Sequence, residues 1–135
     1  MLDLSHVKIG LQGSADLLVG VEHTAPNVGS GLVAVLATPI MINLIEAAAL
    51  AAVEHLLPAG HQSLGIHLDI RHVAATPVGM CVRATAEVTS VEVRTLTFRV
   101  EAHDEKETIG GGTHQRVVVN VARFDQRVQA KLSKS

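Results

Sequence analysis

The sequence predicts an α+β fold in which one five-stranded antiparallel sheet wraps around one long apolar helix. Three observations predict it. The stretch ATPIMINLIEAAALAAVEHLL, Ala37 to Leu57, is aliphatic on nearly every side over a helical length. The segment ahead of it reads as a strand or two followed by a loop, and four segments with the two-residue period of strands come after it. Strands that succeed one another through short turns, with no helices between them, belong to an antiparallel sheet. A helix greasy on all sides asks for more cover than five strands provide, so a second copy is expected to supply it. The expectation is a homodimer, with a higher homo-oligomer left open, and with edge strands paired or covered across a two-fold interface.

Each element has a local signal. TAPNVGSG, Thr24 to Gly31, is rich in Pro, Asn and Gly and reads as the loop. Thr38 followed by Pro39 marks the helix start, with Thr38 as N-cap and Pro39 at the first helical position. LPAGHQ ends the helix at Pro58 to Gly60. Beyond it, SLGIHLDIRHV alternates Leu64, Ile66, Leu68 and Ile70 against Gly65, His67, Asp69 and Arg71. GMCVRATAEVTSVE alternates Met80, Val82, Ala84, Ala86 and Val88 against Cys81, Arg83, Thr85 and Glu87. RTLTFRVEAHD alternates Leu96, Phe98, Val100 and Ala102 against Thr95, Thr97, Arg99 and Glu101, and HQRVVVNVARF is apolar on both faces and therefore more central.

Length and composition narrow the function. The chain has 135 residues, which suits one domain over 1–135. With 11 Lys+Arg against 13 Asp+Glu, no basic run, no Trp or Tyr, and only Phe98 and Phe124 as aromatics, nothing supports nucleic-acid binding. The single cysteine, Cys81, excludes an internal disulfide, fits a reducing compartment and reads as a small core residue. Asp3 stands where a signal peptide wants Lys or Arg, so the expected location is the cytoplasm. The apolar helix is short and Ala-rich for a membrane span and carries Glu46, Glu54 and His55, so no membrane partner is expected.

Glu46 is the anomaly. It sits midway along the apolar helix, and its neighbours three and four residues away are Ile42, Asn43, Ala49 and Leu50, none of them a cation. A buried isolated carboxylate costs several kcal/mol unless something satisfies it. Counting by twos from Leu64 brings His72 to the face that meets the helix, where its imidazole and the Glu46 carboxylate can satisfy each other; the plain alternative is a strand-end histidine bonded to backbone. Thr38 is the third candidate. The free amides at its helix end favour developing negative charge, such as a tetrahedral oxyanion, and about 12 Å of helix separates it from Glu46, enough for a histidine or a substrate between them. The histidines are scattered without HxH or HExxH spacing, so no metal is expected. IGGGTHQR lacks GxGxxG spacing and reads as a close backbone approach in a strand, with Arg116 beside it as an anion contact or a solvated residue of the sheet face.

VLATPIMINLIEAAA, SLGIHLDIRHVAATPVG and GTHQRVVVNVARF, in that order, together resemble the hot-dog-fold thioesterases of the fluoroacetyl-CoA thioesterase type, from about Val35 to the C-terminal region. The resemblance implies a hot-dog dimer with sites at the subunit interface. It also implies hydrolysis of a small or medium acyl-CoA thioester, with no cofactor beyond the CoA of the substrate. By it, Thr38, Glu46 and His72 fall on the family's catalytic threonine, glutamate and histidine; Gly65 looks like the glycine whose backbone lies at the thioester, and Arg116 like an arginine near the site. Where the fluoroacetyl-selective enzyme carries gating phenylalanines ahead of the threonine, this chain has NVGSGLVAVLAT, with Leu32 and Gly29 near those places. A hot-dog enoyl-CoA hydratase or dehydratase, and a non-catalytic acyl-CoA-binding module, are the other readings of the same residues.

Overall fold

The computed structural model describes residues 2–133. Five strands form one antiparallel sheet: β1 Gln12–Leu18, β2 His61–His72, β3 Cys81–Glu92, β4 Thr95–His103 and β5 Thr108–Asn120. Their spatial order is β1-β3-β4-β5-β2. A short helix α1, Ala25–Val28, precedes the long helix α2, Thr38–Val53, which runs on as a 3₁₀ turn over Glu54–Leu56; a third helix, α3, spans Val121–Ala130.

The alternation read from the sequence is the alternation observed on β3 and β4. Val82, Ala84, Ala86 and Val88 on β3, with Leu96, Phe98, Val100 and Ala102 on β4, are all buried against Met41, Ile45, Ala48, Ala49 and Ala52 of α2. Fully burying one such large aliphatic or aromatic side chain is worth about 1.5–3 kcal/mol, so this face anchors the helix. The helix packs chiefly on β1 and β3 and barely touches β2. Edge strand β2 meets the middle of α2 through the Glu46 side chain rather than through close backbone packing. By length and apolar composition Thr38–Leu56 would also cross a membrane, but here its buried stripe is the core of the fold.

Four local expectations change. Ala37, not Thr38, occupies the N-cap position; Thr38 is the first helical residue and its hydroxyl makes no capping bond. The apolar run of the last strand does not continue through VARF, because the Asn120 side chain accepts from the backbone N–H of Arg123 at 3.1 Å and starts α3. β5 is interior, but the middle of the sheet is β4. Cys81 is exposed at the start of β3 rather than in the core, since it lies on the same strand face as Arg83. The glycine run does mark a close approach: a Cβ on Gly112, whose φ is 152°, would collide with the Asp69 carbonyl of β2.

Strand β2 carries an irregularity that no periodic count reveals. Gly65 pairs with Arg116 and His67 with Gln115, so one residue is extra between them and the strand changes face there. Ser63 and Gly65 point inward before the bulge, and Ile70 and His72 do so after it.

Candidate active site

Two groups of polar side chains lie where α2 meets β2. The first stands at the start of α2, where Thr38 Oγ1 and His72 Nδ1 are 2.7 Å apart. His72 Nε2 is sealed from solvent with no hydrogen-bond partner among the described residues. Burial holds the imidazole pKa below its ordinary value, with a backbone contact at Ala74 opposing. The ring is therefore neutral at neutral pH, ready to accept or pass on a proton. A cavity of about 370 Å³ opens beside it, lined by Leu32, Val33, Leu36, Ala37, Thr38 and His72. Leu32 is 95 % exposed on its rim. No aromatic ring lies near, because Phe98 is in the core and Phe124 is on α3.

The second group surrounds Glu46. Arg116, on β5 and only 5 % exposed, brings Nη1 to 3.3 Å from Glu46 Oε2. The sequence suggested that Glu46 lacks a cationic partner and pairs with His72; in the fold its partner is Arg116, and His72 bonds to Thr38 instead. The guanidinium is itself held on every side. Nε donates to Ser63 Oγ at 2.8 Å, Nη2 to the Ser63 carbonyl at 3.0 Å, and Nη1 also lies 3.2 Å from His114 Nε2. Ser63 in turn donates through its backbone N–H and hydroxyl to the two Glu54 carboxylate oxygens, at 2.8 and 2.6 Å. His114 Nδ1 is 2.8 Å from the His67 carbonyl, which can only accept, so Nδ1 carries the proton and Nε2 offers its lone pair to Arg116. Burial, reinforced by the Arg116 charge, pushes the His114 pKa down and favours that neutral ring, against the pull of the carbonyl and of Glu46.

Gly65 completes this group. A Cβ there would run into Glu46 Oε2 and press on the His114 ring, so glycine keeps the β2 backbone against the carboxylate. His114, Ser63 and Glu54 were not singled out from the sequence. Their signal was present in part: counting back by twos from buried Val118 reaches Arg116 and His114 on one face. Among the described residues, no three His, Cys, Asp or Glu side chains cluster as a metal site would require. What the two groups offer is a fixed carboxylate, a neutral imidazole and a hydroxyl, the components of general acid–base or nucleophilic attack on a carbonyl.

The profile of the fluoroacetyl-CoA-specific thioesterase family, FlK, matches residues 19–122, a span that contains both polar groups. This chain belongs to the fluoroacetyl-CoA-specific thioesterase family. By that membership it is a thioester hydrolase with a hot-dog fold. A family member, the fluoroacetyl-CoA thioesterase of Streptantibioticus cattleyicolor, is 44 % identical over 97 residues, covering 72 % of this chain and 70 % of that one. The solved fluoroacetyl-CoA thioesterase FlK superposes with a TM-score of 0.87 at 36 % identity, over 92 % of this chain and 96 % of the other. A variant of that enzyme, solved in complex with fluoroacetate and CoA, gives 0.82 at 36 % identity, covering 87 % and 98 %. A hot-dog-like protein from Thermanaerovibrio acidaminovorans shares the fold at a TM-score of 0.89 and 23 % identity, over 98 % and 99 %.

Proposed function

We propose that the protein hydrolyses small or medium acyl-CoA thioesters as a homodimer, using Glu46, Thr38 and His72, with CoA entering only as part of the substrate. One observation carries the reading: the β2 bulge puts Gly65, which abuts Glu46, and His72, which holds Thr38, on the same inner face of one edge strand. Within one chain the two groups are apart, since Thr38 and Glu46 are separated by about 12 Å of helix. Strand β2 is an edge with exposed Leu64, Ile66 and Leu68, a surface suited to pairing with a second copy. If two β2 strands pair antiparallel about an axis near Leu68, each Gly65 comes alongside the partner's His72, and each Glu46 faces the partner's Thr38 and His72.

In such a site the thioester carbonyl lies against the Gly65 backbone. Glu46 takes a proton from a water that attacks the carbonyl carbon, or attacks the carbon itself to give an acyl-glutamyl anhydride that water then hydrolyses. Thr38 polarises the carbonyl oxygen, and as the C–S bond breaks His72 relays a proton from water to the departing CoA thiolate. Arg116 fixes the Glu46 carboxylate in place. The Leu32 rim, with no ring across it, leaves room for acyl groups longer than a two-carbon unit, so selectivity for fluoroacetyl is not expected.

The test is free-thiol release over acyl-CoAs of increasing chain length, with Glu46→Gln beside the parent. The parent is expected to release thiol, and the variant to lose about a hundredfold or more in kcat/KM. A parent that releases no thiol from any acyl-CoA sinks the reading, and a fully active Glu46→Gln sinks the mechanism.

A further inference from the structure

A second cleft, of about 660 Å³, opens where the end of β5 and the start of β2 meet α3 and the β3–β4 turn. It is lined by His61, Arg94, Asn120, Arg123, Gln126 and Arg127 among others, and no carboxylate is among its lining residues. Arg83, Arg99 and Arg116 each pair with a carboxylate, whereas Arg94, Arg123 and Arg127 make no salt bridge among the described residues. In a chain of net charge −2 this is a local reversal of sign. Three guanidinium groups gathered without counter-charge repel one another, and a bound polyanion relieves that repulsion. Their planar forks suit phosphate oxygens. The cleft also contains the start of α3, whose dipole adds positive potential.

We propose that this cleft holds the phosphates of the nucleotide half of CoA. The inference rests on the acyl-CoA reading above and adds where the non-reacting end of the substrate is gripped. His61 pairs with Asn120 and Gly65 with Arg116, so the cleft and the reacting carbonyl lie along the same two strands. Four residue steps along the strand separate them, about 13 Å. An extended phosphopantetheine arm, two amide units and a pantoyl group, is about as long as five residues of extended chain, so it spans the gap. Neither phenylalanine lines the cleft, so the charge of the three arginines carries recognition of the phosphates.

The experiment compares the parent with Arg123→Ala/Arg127→Ala and Arg123→Lys/Arg127→Lys. Helix α3 buries no residue, so these changes leave the core intact. The readout is the ratio of kcat/KM for an acyl-CoA to that for the matching acyl-pantetheine, which lacks the phosphates. The alanine pair is expected to lower this ratio about tenfold or more through KM, and the lysine pair to keep most of it. For the parent, KM for acyl-CoA rises with added salt while KM for acyl-pantetheine does not. Calorimetric titration with 3′,5′-ADP, which needs no turnover, is expected to show binding to the parent that the alanine pair weakens by a similar factor. A ratio equal to the parent's in the alanine pair, or 3′,5′-ADP binding that ignores the arginines, overturns the proposal. If the parent hydrolyses neither substrate the thioesterase reading fails, and the titration alone then decides the cleft.

Discussion

A site shared between two copies, as proposed above, makes a quantitative demand on mixed dimers. Glu46 belongs to the group with Gly65 and Arg116, and His72 to the group with Thr38, and no hydrogen bond joins the two groups within one chain among the described residues. Suppose Glu46→Gln and His72→Ala chains, each inactive alone, are mixed in equal amounts and allowed to exchange subunits. Random exchange makes about half of the dimers mixed. In a composite arrangement each mixed dimer has one site with both substitutions and one with neither, so about one quarter of the parent's sites return. If each site were built from a single chain, every chain would carry one lesion and no activity would return. The reverse mixture checks the first. Parent chains mixed with equal double-variant chains retain about one quarter of full activity if sites are shared and about one half if they are not. The assay is thiol release after co-expression or after exchange in mild denaturant. No recovery in the first mixture, with exchange verified by mass, refutes the shared site.

Two further outcomes follow from the buried network and the histidines. Ser63→Ala removes the acceptor of Arg116 Nε and the hydroxyl bond to Glu54; it is expected to cost about 1–3 kcal/mol in denaturant unfolding and to lower kcat by freeing Glu46 from its fixed position. An unfolding midpoint and a kcat equal to the parent's would show that the network positions nothing. His72 and His114 both have folded pKa values below their ordinary 6.5. Their contribution to stability is therefore complete above pH 6.5 and is lost as pH falls through the depressed values, where the unfolded chain binds protons first. The carboxylates with lowered values, Asp3, Asp16 and Asp104, titrate below 3.8 and do not act in this window. The thermal midpoint is expected to fall between about pH 7 and about pH 5, less steeply in His114→Gln; a midpoint that stays level or rises across that window contradicts the assignment.

The fold was legible wherever burial alone decides the pattern. On β3 and β4 small and branched apolar residues alternate with charged ones because one face lies on α2, so period two is the direct imprint of packing. The helix start was placed within one residue because Pro39 tolerates only the first turn. Helix α3 was missed because Val121 extends an apolar run, and what stops the strand is one side chain, Asn120, capping a backbone N–H that has no other signature in the sequence. Composition records what is buried; it does not record which polar atom closes which backbone bond.

The candidate residues could be named from the sequence, but the bonds between them could not. His72 does face inward, but the count that found it began at Leu64, which is 38 % exposed and lies across the bulge on the opposite face. The same bulge brings Gly65 inward and so carries the glycine and the histidine to one surface seven positions apart, which a regular strand forbids. Glu46 looked unpaired because helical neighbours are the only partners a local reading can see, whereas its partner is 70 residues away on β5. That pairing strengthens the case for chemistry. Ser63, His114 and the Ser63 carbonyl occupy the rest of Arg116, so the guanidinium cannot swing out to follow the carboxylate. The position of Glu46 is thereby set by β2 and β5, the strands that also carry Gly65 and His72, and not by the helix on which it stands.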